Sequence, residues 1–187
     1  VRMTCHDLRE VAARPLPKGY ALRWYLVGDE RDWLSIHRVA DVYNPFTRIL
    51  FEEQFGRDAD ELHRRQCYLI APSGEAVGTA TAWYGGGSAV GIGRVHWVAI
   101  KPHYQGKRLA YPLLSAVCCR LLSLGHRRAY LVTATNRVPA INLYARLGFV
   151  PDLETGSSRD AWKQLLAHGA QGDYRQLLPG LLELISQ

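Results

Sequence analysis

Val98-Ala99-Ile100-Lys101-Pro102-His103-Tyr104-Gln105-Gly106-Lys107-Arg108-Leu109-Ala110 packs the end of a strand, a turn and the start of a helix into one run. Its first residues close a nearly continuous apolar stretch from Arg94 to Ile100, which suits a buried strand. Lys101-Pro102-His103-Tyr104 ends it. A helix is expected from about Gly106 to Leu124, burying Leu109, Leu113, Val117, Leu121 and Leu124 on one face, with Gly125 as its stop. The first N–H groups of a helix have no internal partner, point outward together and are backed by the positive end of the helix dipole. A glycine at that place lets a phosphate come close, and Lys107 and Arg108 add charge. The geometry suits a pyrophosphate.

Downstream, Ala129–Thr135 reads as a strand, Pro139–Leu147 as a helix ended by Gly148, and Phe149-Val150 as the start of a last strand. Upstream, Tyr20–Val27 reads as a strand broken by Gly28-Asp29-Glu30. Asp29 is the expected N-cap of a helix to about Val42 that buries Trp33, Ile36, His37 and Ala40, and Asn44-Pro45 stops it. Phe46–Phe55 has a helical pattern, and Asp58 caps a further helix through Arg65. Cys67–Ala71 and Ala76–Tyr84 form a hairpin around Pro72-Ser73-Gly74-Glu75. Gly85-Gly86-Gly87-Ser88 reads as a flexible loop, since no Gly-Lys-Ser/Thr follows it. Residues 1–19, with Pro15, Pro17 and Gly19, read as an irregular lead-in. Residues 158–187 read as one or two helices around Trp162, Leu165, Leu166, Leu177, Leu178, Leu181 and Leu182. The order gives an α/β fold with a mixed sheet. No repeat or linker interrupts it, so residues 1–187 are expected to form a single domain.

The bulk properties narrow the partners. A net charge of +6 over 187 residues favours anionic partners, though the excess is scattered and mostly arginine. No run approaches the ~20 apolar residues of a membrane span, and Val1 to His6 lacks the apolar stretch of a signal peptide. Cys5, Cys67, Cys118 and Cys119 fit no zinc spacing. They read as reduced thiols of a cytoplasmic protein, with no metal expected.

The opening run resembles the cofactor motif of Gcn5-related N-acetyltransferases, Gln/Arg-x-x-Gly-x-Gly/Ala. Gln105 matches the first position and Ala110 the last, while Arg108 stands where the family has its middle glycine. A second stretch, Ala140-Ile141-Asn142-Leu143-Tyr144-Ala145-Arg146-Leu147-Gly148-Phe149, resembles the family's helix ending in Leu-Tyr-x-x-x-Gly-Phe. Gly28-Asp29-Glu30 followed by Trp33 is similar to mycothiol-synthase-like members. The resemblance implies a mostly antiparallel central sheet flanked by helices and splayed at the cofactor site. It also implies acetyl-CoA as co-substrate and direct attack of a primary amine on the thioester.

By the same resemblance, Val98, Ala99 and Ile100 bind the pantetheine arm through backbone groups, and the Val98 N–H polarises the thioester carbonyl. Gln105, Gly106, Lys107, Arg108, Leu109, Ala110 and Tyr111 would cradle the pyrophosphate. Pro112 removes one donor early in that helix. His96 is the candidate base, or else a buried histidine bonded to backbone. Arg94 and Val132 occupy places where many members carry a glutamate. Tyr144 is the candidate acid for the leaving thiolate, or else a core tyrosine against Phe149. Arg137 either binds a phosphate or is solvated at the surface, and Asn142 either touches pantetheine or is a helix-surface amide. Trp83 is the tryptophan expected to wall the acceptor groove.

The acceptor is expected to be a small molecule or a peptide amine. Aminoacyl-tRNA would need a clustered basic patch. Residues 158–187 would cover the acceptor groove or form a homodimer contact. A protein that binds acyl-CoA without turnover is the alternative, and a nucleotide-binding module is weaker for want of a Walker or Gly-x-Gly-x-x-Gly run.

Overall fold

The computed structural model describes residues 1–86, 91–154 and 156–168. Seven strands form one sheet: β1 (Arg2–Cys5), β2 (Ala21–Trp24), β3 (Gln66–Ile70), β4 (Ala76–Tyr84), β5 (Ile92–Ile100), β6 (Arg128–Val132) and β7 (Val150–Pro151). Their order is β2-β3-β4-β5-β6-β1-β7. Every pairing is antiparallel except β5 with β6. The helices are α1 (Glu30–Ala40), α2 (Arg48–Phe55), α3 (Ala59–Arg65), α4 (Ala110–Ser123), α5 (Val138–Arg146) and α6 (Gly156–His168). The fold is the α/β mixed sheet read from the sequence, mostly antiparallel and flanked by helices as the resemblance implied. The helices expected around Leu177, Leu178, Leu181 and Leu182, and Gly87 and Ser88 of the glycine loop, lie outside the described residues.

Two features of β5 shape the site. Its pairing with β6 covers Ile92–Arg128, Gly93–Ala129 and Arg94–Tyr130 and then ends, although β5 runs on to Ile100. The strands part after Arg94. On the other edge, Thr79 faces Ala99 but Thr81 faces His96, so Trp97 and Val98 together oppose Ala80. This bulge puts Trp97 at φ +48, rare for a residue with a side chain.

The lead-in is not irregular throughout. Residues 2–5 form β1, which lies between β6 and β7 and pairs Arg2 with Val132 and Cys5 with Ala129. A four-residue strand is too short to show a period, and its partners lie far along the chain. Asp29 is not the side-chain cap of α1 either. It is itself in the helical region, and its carboxylate takes the Arg23 guanidinium and the Leu26 N–H at 2.7 Å. That ties β2 to the start of α1.

Helices cover both faces of the sheet. On one, Leu113, Val117 and Leu121 of α4 join a core with Leu69, Val77, Ala82, Val95 and Met3. A Cβ on Gly93 would come within 2.6 Å of Leu121 Cδ2, so α4 lies as close to β5 as a glycine allows. On the other, Trp33 of α1 is enclosed by Phe46, Phe51, Phe55 and Trp97, with ring centroids 5.3–5.8 Å away. These edge-to-face contacts, each worth ~0.5–1.5 kcal/mol beyond area burial, fix α1 and α2 over the bulge. Ile36 and His37 of α1 are buried as expected, whereas Ala40 is half-buried.

Candidate active site

Where β5 and β6 part, a cleft of about 1200 Å³ opens. Arg94 to Ile100 form its floor. Gln105, Gly106, Arg108, Leu109, Ala110 and Tyr111 line one end, and His37, Ala40 and Asp41 line it from α1 and the turn that follows. Arg137 and Tyr144 come from α5 and its cap. The parting of two strands thus brings together most of the residues singled out from sequence.

The phosphate-side loop differs from the expected helix. Helix α4 begins at Ala110, after a turn in which Gly106 has φ +74 and Arg108 φ +60. Both lie in the left-handed region, where glycine is at ease and other L-residues pay roughly 1–2 kcal/mol. The glycine that the resemblance implies at position 108 would be free of that cost. Arg108 tolerates it with an exposed side chain that lines the cleft. The later start also accounts for Pro112. It is the third residue of α4, and the first intrahelical bond is Leu113 N–H to Leu109 O at 3.3 Å, so the proline forfeits none. The Gln105 side-chain amide donates to the Ile100 carbonyl at 2.9 Å, which holds the loop against the strand end. Lys107 points away, with its ammonium 4.8 Å from the Tyr104 ring centroid, and is not in the cleft wall.

His96 faces the cleft and is 8 % exposed. Its Nε2 lies 3.0 Å from Gln54 Oε1, which also accepts from Trp97 Nε1–H at 3.0 Å. An amide oxygen only accepts, so Nε2 carries the hydrogen and Nδ1 the lone pair. Burial, then the positive charge of Arg94, pushes its pKa down to about 3. His37 is 2 % exposed, and its Nε2 has no partner among the described residues. Burial lowers it also to about 3, opposed in part by Asp41. Both imidazoles are neutral near pH 7.

Tyr144 is 8 % exposed and borders the cleft, and its hydroxyl bonds to no described residue. Its ring also lies 6.4 Å from that of Phe149. Burial raises the phenol to about 12, with Arg137 acting the other way, so it keeps its proton. Arg137 is not free at the surface: it donates to Asp41 Oδ2 at 2.7 Å across the cleft mouth. Burial would raise the Asp41 carboxyl, but donors from the Tyr43 N–H, the Asn44 amide and Arg137 hold it below its usual range. Asn142 is buried away from the cleft wall, its Oδ1 unpartnered among the described residues. Trp83 packs on Phe55 at 5.2 Å and is not in the wall; Trp97 is. His37, Asp41, Gln54 and Trp97 were not singled out as site residues from sequence. No local signal marks them: His37 and Gln54 sit in helices rich in charged residues and Asp41 just beyond one.

Among the described residues no group of three His, Cys, Asp or Glu side chains could hold a metal ion. Cys5, Cys67 and Cys118 are buried and free, and Cys119 is exposed and free.

Residues 33–149 match the acetyltransferase (GNAT) family. The chain belongs to this family. Mycothiol acetyltransferase of Arthrobacter sp. (strain FB24) is 30 % identical over 155 residues, covering 80 % of this chain and 48 % of the relative. That of Pseudarthrobacter chlorophenolicus is 31 % identical over 155 residues, covering 76 % and 45 %. The chain therefore spans about half the length of these curated relatives. Among solved structures, a GCN5-related N-acetyltransferase from Sphaerobacter thermophilus superposes with TM-score 0.65 at 24 % identity, over 80 % of this chain and 47 % of that one. The ribosomal-protein-S18-alanine N-acetyltransferase from Escherichia coli gives 0.58 at 20 %, over 71 % and 79 %. These likenesses show the GNAT fold.

Proposed function

We propose that this chain folds as one domain, binds acetyl-CoA in the cleft and transfers the acetyl group to a primary amine of a small molecule. The observation that carries the reading is the bulge at Trp97–Val98 beside the parting of β5 and β6, because it takes backbone groups out of the ladder at the cleft floor. The loop from Gln105 to Ala110 and the free N–H groups at the start of α4 suit a pyrophosphate, with Arg108 beside them as a cation. The edge of β5 from Val98 to Ile100 suits an amide-bearing arm lying as an added strand.

The neutral amine nitrogen bonds to the thioester carbonyl carbon and gives up a proton to water, the carbon–sulfur bond breaks, and the sulfur takes a proton from Tyr144, which water then reprotonates. The Val98 N–H donates to the carbonyl oxygen as charge builds on it. A donor of this kind is worth ~2.7–4 kcal/mol of barrier. A neutral imidazole near pKa 3 cannot hold a proton taken from an ammonium of pKa ~10.4. His96 therefore acts through Nδ1 as a hydrogen-bond acceptor that orients the neutral amine or a relaying water. Tyr144, kept protonated by burial, donates to the leaving sulfur. A small-molecule acceptor is supported by the name of the curated relatives. The buried free thiols support a reducing, cytoplasmic setting. No described helix is long and apolar enough to cross a membrane.

The test is thiol release from acetyl-CoA by purified protein with a panel of small amines and short peptides, with the acetylated product weighed by mass spectrometry. Turnover is expected with a small amine. Stabilisation by acetyl-CoA without release would favour a protein that only holds the thioester. Neither stabilisation nor release would end the cofactor reading.

A further inference from the structure

Arg94 is the half-buried charge in this cleft that no described carboxylate answers; Arg14, Arg108 and Arg146, which also line it without an ion pair, are exposed to solvent. Arg2 pairs with Asp152, Arg23 with Asp29, Arg65 with Glu61 and Arg137 with Asp41. Arg94 is half-buried, lines the cleft and makes no ion pair with any described carboxylate. Its Nε is shut off from solvent and has no hydrogen-bond partner among the described residues. Its guanidinium carbon lies 5.7 Å from the Tyr130 ring centroid, near the outer limit of a cation–π contact, which supplies no counter-charge. The guanidinium thus holds a half-buried charge without a counter-charge, which a ligand anion in the cleft would supply.

The position says which ligand. Arg94 lies six residues before Ile100, where the phosphate-side loop is pinned, roughly 20 Å of strand away. A pyrophosphate at the start of α4 is out of its reach. Arg94 stands two residues before His96 on β5, on the same face and roughly 7 Å along it. Its charge reaches into the cleft, where it is the second cause, after burial, of the lowered basicity of His96. Elsewhere in the cleft His96 and His37 are neutral, and Asp41, the carboxylate that lines it, is already engaged by Arg137.

We infer that the acceptor carries an anionic oxyacid group, a carboxylate or a phosphate, a few bonds from its amine, and that Arg94 binds it. This rests on the acetyltransferase reading above. The planar guanidinium fork matches either oxyanion and sets the amine beside His96.

The experiment compares matched acceptors: ω-amino acids with their methylamides, and amino sugars with their phosphate esters. Each pair is run with the parent protein, Arg94→Gln and Arg94→Lys. Folding of each variant is checked by its thermal midpoint and its shift with acetyl-CoA. In the parent, kcat/KM is expected to favour the anionic member of at least one series by tenfold or more, and the series that shows it identifies carboxylate or phosphate. In Arg94→Gln that ratio should fall about 10–100-fold, and Arg94→Lys should restore part of it. Equal rates for charged and neutral partners, or a ratio that survives Arg94→Gln, would overturn the inference and leave the acetyltransferase reading standing. No thiol release with any amine overturns both.

Discussion

Lowering the pH from 7.5 to 5.0 should destabilise this protein sharply, because two imidazoles are folded into places where they cannot take a proton. His37 and His96 have pKa values pushed down to about 3 in the folded state, against 6.5 when exposed. The unfolded chain therefore binds protons that the folded one refuses, and stability falls with pH. It is whole above about 6.5 and is lost progressively toward 3. At pH 5.0 each site contributes a loss of about 2 kcal/mol, or about 4 kcal/mol for the two. In a domain of this size that lowers the thermal midpoint by about 8–16 °C. Exposed carboxylates are still largely ionised at pH 5 and add little. His126, also lowered by burial, acts in the same direction. Urea unfolding at the two pH values measures the loss. His37→Gln and His96→Gln should each remove about half of the pH sensitivity, and the double variant nearly all of it, whatever they do to stability at pH 7.5. Stability unchanged between the two pH values, or an imidazole signal of either residue titrating near 6.5 by NMR, would refute the reasoning.

Gln105→Ala deletes the hydrogen bond from the side-chain amide to the Ile100 carbonyl. At ~0.5–1.5 kcal/mol it should raise KM for acetyl-CoA about threefold to tenfold with little change in kcat, and an unchanged KM in steady-state assays would show that the loop is not held this way. Tyr144→Phe removes a hydroxyl that has no described partner, so the thermal midpoint should hold while kcat falls about 100-fold, within the range for a positioned proton donor. A kcat equal to the parent's would exclude a role for Tyr144 at the sulfur.

The sequence by itself determined the elements whose signal is local. The turn at Pro72–Glu75 between Cys67–Ala71 and Ala76–Tyr84, the helical spacing of Leu113, Val117 and Leu121, and the glycines at 125 and 148 each act within a few residues. The strand-turn-helix run from Val98 to Ala110 placed the cleft, because a strand end and a helix start are made by neighbours in the chain. Only the tertiary structure decided what depends on register or on distant partners. Residues 2–5 gain their strand from β6 and β7. Trp97 becomes a cleft residue because a bulge turns β5, and no period announces a bulge. Arg137 is held by Asp41, 96 residues away, and Gln54 reaches His96 and Trp97 from another helix. The unanswered charge of Arg94 is of the same kind. A sequence shows that an arginine is present, but only the packing around it shows that no described carboxylate comes to meet it.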